Sequence, residues 1–435
     1  SWYLVFFSCF VEMAACCQLP AVSCSLDEDS PDSERLFLVY PTSSDSYRRP
    51  WIGPFLFLNV LMFLVFSNVA IFYLYPIYLQ AIGSSKTTIG WVMGLMPIST
   101  VVSRPYMGKL VARRGEQWVI LLGLIIIFFT TLAYHGLQQV GWPMLLVRVS
   151  HGIGFSAFIS ASYTAVAQWV PAKRRGQAYS YIGATILAAV ALMPLAGEHL
   201  VRGFGYPALF NGAAATVLLA AILTFTPATS RTVATSRYEG SVLYGPLLRR
   251  RSTCLLLLAI LLFVQGHATV LNFVALQAER LGLPPGYYFA VAASLAFILR
   301  LVAASFIDRF GKKRFMKVSY LSFGIGICSI PLISHPPAFY ASAFFYGAGL
   351  AFLFPAAVAL AADQSKKPEE LPGMMSLATA TLDLGFISGS VISGWFADLF
   401  SLDILFLAVG ALSFIGFVLM YSPIEEAAPP DTSSS

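Results

Sequence analysis

The chain runs to 435 residues, of which 57% are hydrophobic and only 11% charged, with a net charge of +6. A water-soluble domain carries about 45–50% apolar and about 25% charged residues, so a soluble enzyme is excluded. The positive balance suits either nucleic acid or an anionic membrane surface, and the placement of the charges decides between them.

In chain order the first element is residues 1–50, read as a disordered N-terminal extension. Its apolar start is broken by Glu12, and an acidic, Ser-rich stretch follows over 25–45. A cleaved signal peptide is the rival reading, opposed by Glu12 and by the lack of a basic start. Four of the six cysteines, Cys9, Cys16, Cys17 and Cys24, crowd this segment, and Cys254 and Cys328 lie alone in apolar runs. Neither a disulfide framework nor a metal-ligand spacing follows.

Twelve apolar runs come next, each near the roughly 20 residues that one crossing of the hydrocarbon needs. They cover 52–78, 89–111, 118–137, 142–170, 177–200, 207–226, 253–278, 287–307, 315–333, 338–362, 371–397 and 402–420. They predict an all-α polytopic membrane protein with six spans over 51–226, a linker over 227–252, six more spans over 253–421 and a tail over 422–435. Lys and Arg accumulate in cytoplasmic loops, and here alternate connections are basic. Lys109, Arg113, Arg114, Lys173, Arg174, Arg175, Arg249, Arg250, Arg251, Lys312, Lys313, Arg314, Lys366 and Lys367 fall on one side, against Lys86, Arg202 and Arg280 on the other. Both termini and the linker are therefore expected in the cytoplasm of a cell whose inner membrane holds the protein. The charge reports orientation, and no nucleic-acid partner is needed to explain it.

The halves repeat. Arg104, Gly108, Ala112, Arg113 and Gly115 after the second span recur as Arg300, Ala304, Asp308, Arg309 and Gly311 after the eighth, at an offset of 196. Gly152 and Gly154 are echoed by Gly347 and Gly349, and Gly197 by Gly394. Two parallel, pseudo-symmetric six-helix bundles are the economical reading.

On these residues the chain resembles the major facilitator superfamily, in particular its bacterial drug and metabolite efflux members, from about Trp51 to Tyr421. GKLVARRG follows the second span, RVSHGIG lies in the fourth, and VPAKRRGQA joins the fourth to the fifth. Pro194 and Gly197 partly match the glycine-proline motif of antiporters, with Met193 where a Gly is usual. The resemblance implies a conformational latch between the halves, built from Arg104, Gly108, Arg113 and Gly115 and from Arg300, Asp308, Arg309 and Gly311. Ala112 stands at the usual acidic position of the first copy, so the latch is expected to lean on Asp308. Arg104 and Arg300, near the cytoplasmic helix ends where long side chains can snorkel, are read as latch parts and not as substrate ligands.

Asp383 is the acid that falls near the middle of a span, about 18 Å from its cytoplasmic end. A charge there costs at least about 2.5–3.5 kcal/mol by insertion scales, so it faces a cavity or a partner. Ser376, Thr379 and Ser390 share its helix face. It is the first candidate for proton coupling, against a structural Asp bonded to its neighbours. Arg148, one turn from His151, is implied by the resemblance to support the cavity and join in coupling; a brace between the first and fourth spans is the alternative. His267 can titrate near pH 6.5 or touch substrate, against a satisfied structural histidine. Asn59, Asn68, His151, Gln265 and Asn272 are candidates for the substrate cavity, against a role as glue between helices. Gly152, Ser156 and Ser160, like Gly385 and Gly389, have spacing for close helix approach.

No phosphate-cradling loop, metal cluster or nucleophilic triad is present, so no cofactor and no ATP-driven step is expected. The expected function is secondary active transport of a small organic molecule by alternating access, coupled to protons and directed to efflux, by a monomer in the lipid bilayer. A proton-coupled importer of a metabolite and a non-transporting membrane sensor of the same fold are the alternatives.

Overall fold

A computed structural model describes residues 52–171, 174–225, 244–333, 335–367 and 370–424, without the side chains of residue 176 and of residues 303–310. The extension 1–50, most of the linker 227–252 and the tail beyond residue 424 lie outside the described residues. So do the Asp308 and Arg309 side chains.

Twelve long helices carry the described chain. They are α1 (Ile52–Ala81), α2 (Lys86–Arg114), α3 (Glu116–Ala133), α4 (Trp142–Trp169), α5 (Arg175–Phe204), α6 (Tyr206–Thr224), α7 (Arg251–Arg280), α8 (Pro285–Phe310), α9 (Lys312–Ser329), α10 (Pro336–Asp363), α11 (Leu371–Leu399) and α12 (Leu402–Leu419). Eleven are apolar enough to cross a bilayer. The exception, α2, is 29 residues long, about 43 Å, so length is not its shortfall. Its sequence carries Ser99, Thr100, Ser103 and Arg104; Thr100 donates to the Gly152 carbonyl of α4 and Arg104 reaches Asp383 of α11, while Ser99 and Ser103 donate to carbonyls of α2 itself.

Local chemistry sets the ends. Ser85 caps α2 by accepting from the Thr88 amide at 3.1 Å, and Ser401 caps α12 by accepting from the Ile404 amide at 3.1 Å; such caps satisfy amides that lack an intrahelical partner. Within α1 the helix tightens to a 3-10 turn at Phe72–Leu74. Pro76, in the first turn of the segment that follows, has no N–H to return to the Phe72 carbonyl four residues back. Gly115 and Gly311 have φ of 82° and 90°, where a side chain is strained. Each makes a one-residue turn, α2 to α3 and α8 to α9, at equivalent places in the repeat.

Packing repeats as well. In the first half α4 lies on α2 and α3, α1 on α5 and α6, and α3 on α6. In the second, α10 lies on α8 and α9, α7 on α11 and α12, and α9 on α12. The result is two pseudo-symmetric six-helix bundles. Helices have no hydrophobic drive to associate in lipid, so close packing and small residues carry the contact. A Cβ on Gly385 would lie 2.6 Å from that of Val264, and one on Gly123 2.7 Å from the Gly154 carbonyl oxygen. Inside the first bundle Leu58, Met62, Val65, Leu124, Ile127, Phe158 and Val217 form the core. Outside, Trp118 and Trp142 are exposed near opposite ends of the bundle, as tryptophans at the two membrane interfaces are.

Candidate functional site

The halves meet along two helix pairs, α2 with α11 and α5 with α8. On α2 the residues toward α11 recur every three or four positions, and their surroundings change with depth. At the face away from the basic loops, a Cβ on Gly90 would lie 2.5 Å from the Ser390 carbonyl oxygen, and one on Gly94 2.7 Å from the Val391 side chain. Deeper, Arg104 forms a two-pronged ion pair with Asp383, Nη1 to Oδ2 and Nη2 donating to Oδ1 at 3.1 Å. One turn further, a Cβ on Gly108 would meet nothing within 4 Å. On α11, likewise, Ser390 and Gly394 are buried, Asp383 is 20% exposed, and Ser376 and Thr379 are exposed. The two helices close at one face and part toward the basic face, with the ion pair at the fork.

Arg104 therefore departs from its expected position near a helix end, while bridging the two halves. It does not snorkel to a helix end; it lies about 15 Å from the end of α2 at Arg114, and Asp383 about 18 Å from the start of α11. A guanidinium held at this depth by a carboxylate is cheaper than one left to find water.

Two carboxylates seal the closed face. Asp398 on α11 accepts from the Lys86 and Thr87 amides at 3.0 and 2.7 Å, at the first turn of α2. Glu198 on α5 accepts from the Gly286 amide at 2.7 Å, at the first turn of α8, and pairs with Arg202 at 2.5 Å. Helix N-termini carry unpaired N–H groups and partial positive charge, which a carboxylate satisfies. Each half thus supplies an acid that caps a helix of the other. Tyr73 of α1 also meets Phe289 of α8, ring centroids 5.6 Å apart.

The polar residues of the first half turn into its wall. Arg148 is 1% exposed. Its Nε donates to the Val92 carbonyl at 3.0 Å, Nη1 to the Tyr134 hydroxyl at 3.4 Å and Nη2 to the Met93 sulfur at 2.7 Å, and Phe72 and Tyr75 present ring faces to it at 5.6 and 5.2 Å. The brace runs to α2 and to the turn after α3, with only ring contacts to α1. His151 is fully buried, its Nε2 3.0 Å from Asn68 Oδ1, and Asn68 donates to Thr131 and to the Ala213 carbonyl. Asn59 donates to the Phe55 carbonyl and accepts from Thr185 at 3.1 Å. Arg148, His151, Asn68 and Asn59 thus join helices and do not line an open surface, because the face of each helix that carries them packs inside its own bundle.

In the second half Asn272 donates to Ser390 at 2.8 Å and is buried between α7 and α11. His267 is half-buried, its Nδ1 2.6 Å from the Tyr346 hydroxyl and its ring stacked between Phe263 and Tyr346. Gln265 is half-buried on the same helix. Arg300 is half-buried, and its Nε donates to the Ala351 carbonyl at 3.2 Å. Among the expected latch residues Gly108 and Arg113 are exposed, while Gly115 and Gly311 serve as turns. At the basic face Arg250 forks onto Glu370 at 2.8 and 2.5 Å. That hydrogen bond holds the Glu370 carboxyl at about 2, below its ordinary 4.5.

The sequence singles out Asp383 as a candidate but not its partner, and it singles out neither Glu198 nor Asp398. The signal for the last two was present: each precedes a helix break within a turn or two, at the less basic face.

A family described as Major Facilitator Superfamily matches residues 55–306 and 286–435. Multidrug resistance protein 2 of Bacillus subtilis (strain 168) is 31% identical over 34% of this chain and 36% of its own. Multidrug resistance protein MdtG of Dickeya zeae (strain Ech586) is 27% identical over 31% of this chain and 33% of its own. The match thus spans about a third of the length of these two relatives. The staphylopine export protein of Staphylococcus aureus (strain Mu50 / ATCC 700699) is 23% identical over 88% of this chain and 98% of its own. Among solved structures, the nucleoside transporter NupG has a TM-score of 0.64 over 85% of this chain and 99% of its own. A bacterial homolog of the human lysosomal transporter Spinster, in an inward-facing and unoccupied conformation, has 0.65 over 86% and 97%. Both are 15% identical to this chain, so the likeness is one of fold.

Proposed function

This chain belongs to the major facilitator superfamily, and we propose that it is a secondary active transporter that exports a small organic molecule by alternating access, with proton coupling at Asp383. The observation that carries this reading is the Arg104–Asp383 pair, which joins the two halves at the inner limit of their closed contact and is itself partly exposed, 35% and 20%.

The chemistry follows from the position. The pair is stable while Asp383 is charged. A proton on Asp383 removes the attraction and leaves Arg104 without a counter-charge; breaking a fully buried pair in this way costs about 3–5 kcal/mol, and this partly exposed pair costs a fraction of that. A fraction is enough to change which arrangement of the halves is favoured, since about 1.4 kcal/mol shifts an equilibrium tenfold. The basic connections belong in the cytoplasm by the rule that Lys and Arg stay inside. On that orientation the closed face is external, the conformation is open to the cytoplasm, and the latch residues Gly108 and Arg113 are disengaged. Rocking the halves about the ion pair would close the basic face and open the other.

Export is favoured over import by the relatives whose names specify resistance or export. Uptake of ethidium into inverted membrane vesicles tests direction and coupling together. Accumulation that rises with an imposed pH gradient, acid inside the vesicle, and falls when the gradient is collapsed is the expected result. Accumulation indifferent to the gradient would exclude proton coupling.

A further inference from the structure

Arg104 and Arg300 occupy equivalent places in the two halves, 196 residues apart, and they are satisfied differently. Arg104 puts both η nitrogens on Asp383. The positions on α5 that stand to Arg300 as Asp383 stands to Arg104, 196 or 197 residues earlier, are Leu187 and Ile186, which offer no charge.

The seat of Arg300 is nevertheless built. Pro355 interrupts α10 and has no N–H to return to the carbonyl four residues back. That carbonyl belongs to Ala351, and it accepts from Arg300 Nε at 3.2 Å. The guanidinium is anchored by its stem side, and its forked side reaches α5: Nη1 stops 3.0 Å from where a Cβ on Gly183 would stand. Arg148 shows what a fully satisfied guanidinium looks like in this fold, with all three nitrogens donating and 1% exposure. Arg300 is half-buried, and among the described residues its η nitrogens have no acceptor.

A charge at membrane depth faces a partner or a cavity, and the guanidinium fork matches carboxylate and phosphate geometry. Resting on the transport reading above, we propose that Arg300 is an anion-binding subsite of the transport path, and that the molecules carried include, beside cations such as ethidium, ones whose carboxylate or phosphate is held by the two η nitrogens. Gly183 keeps the space beside the fork empty. The ligand supplies at α5 and α8 the negative charge that Asp383 supplies at α2 and α11.

The test is binding, measured apart from transport. Full-length protein in lipid nanodiscs is unfolded thermally with 4-hydroxybenzoate, phenyl phosphate or, as the uncharged match, 4-hydroxybenzamide. The two anions should raise the unfolding temperature in a saturable way and the amide should not. Arg300→Gln should raise the apparent Kd for the anions by about tenfold or more, as expected for a lost charge-assisted hydrogen bond, with Arg300→Lys falling between. Gly183→Leu, which keeps Arg300 and fills the space, should weaken the anions in the same sense and serves if Arg300→Gln does not fold. Equal responses to anion and amide, no response to any of the three, or unaltered anion binding in the variants would overturn the proposal. An Asp383→Asn protein that binds the anions yet transports as wild type would sink the coupling reading and leave this subsite standing.

Discussion

Glu370 is paired with Arg250 at the basic face. Its carboxyl sits at about 2 because Arg250 donates to it, where 4.5 is ordinary. A depressed carboxyl contributes stability that is present above its unfolded value and is lost as pH falls through its folded value, so the window runs from about pH 4.5 down to about pH 2. Glu370→Gln should flatten the loss of thermal stability across that window and leave the profile above pH 5 unchanged in shape; an unaltered acid limb would remove the pair from the account. At this scale the sequence was partly legible. Asp383 stood out because an acid within an apolar run is costly, whereas Arg104 is 279 residues away and nothing local ties the two. Asn59, Asn68, His151 and Asn272 could be placed in spans but not on a face of the assembled bundle, since a buried helix is apolar all round and gives no stripe to orient it.

Helices were the most legible level. The observed ends lie within a few residues of the expected runs, because the hydrocarbon sets their length and charged or glycine turns set their limits. Two features escaped. The 3-10 turn at Phe72–Leu74 was signalled only by Pro76, and the polarity of α2 was hidden by the length of its run. The contrast along α2 yields a prediction. Gly90 lies against the Ser390 carbonyl while Gly108 faces open space, so Gly90→Val should wedge α2 from α11 at the closed face and Gly108→Val should not. Cysteines placed on that face and labelled with an impermeant maleimide report it: labelling should rise in the Gly90 variant alone. Equal labelling in both variants would mean that the glycine contact does not hold the face shut.

At the scale of the molecule the repeat decides the architecture, and its offset of 196 is legible in the sequence. The cross-half caps are not, since a carboxylate near a helix end reads as a solvated loop residue until the other half is beside it. Glu198 and Asp398 hold equivalent interfaces from opposite halves, so their effects should combine. Glu198→Gln with Asp398→Asn should open the capped face more than either alone, seen as faster labelling of the same cysteines; a double variant no faster than wild type would show that packing alone seals it. The central claim is that the charge on Asp383 couples the halves to the proton gradient. Asp383→Asn preserves shape and removes titration, and its effect is read as ethidium transport by variant and wild type in matched vesicles, with the gradient imposed and then collapsed. The variant should lose gradient-driven accumulation while still exchanging ethidium down its own concentration gradient. If it concentrates ethidium as fully as wild type, Asp383 is a structural residue and the coupling lies elsewhere.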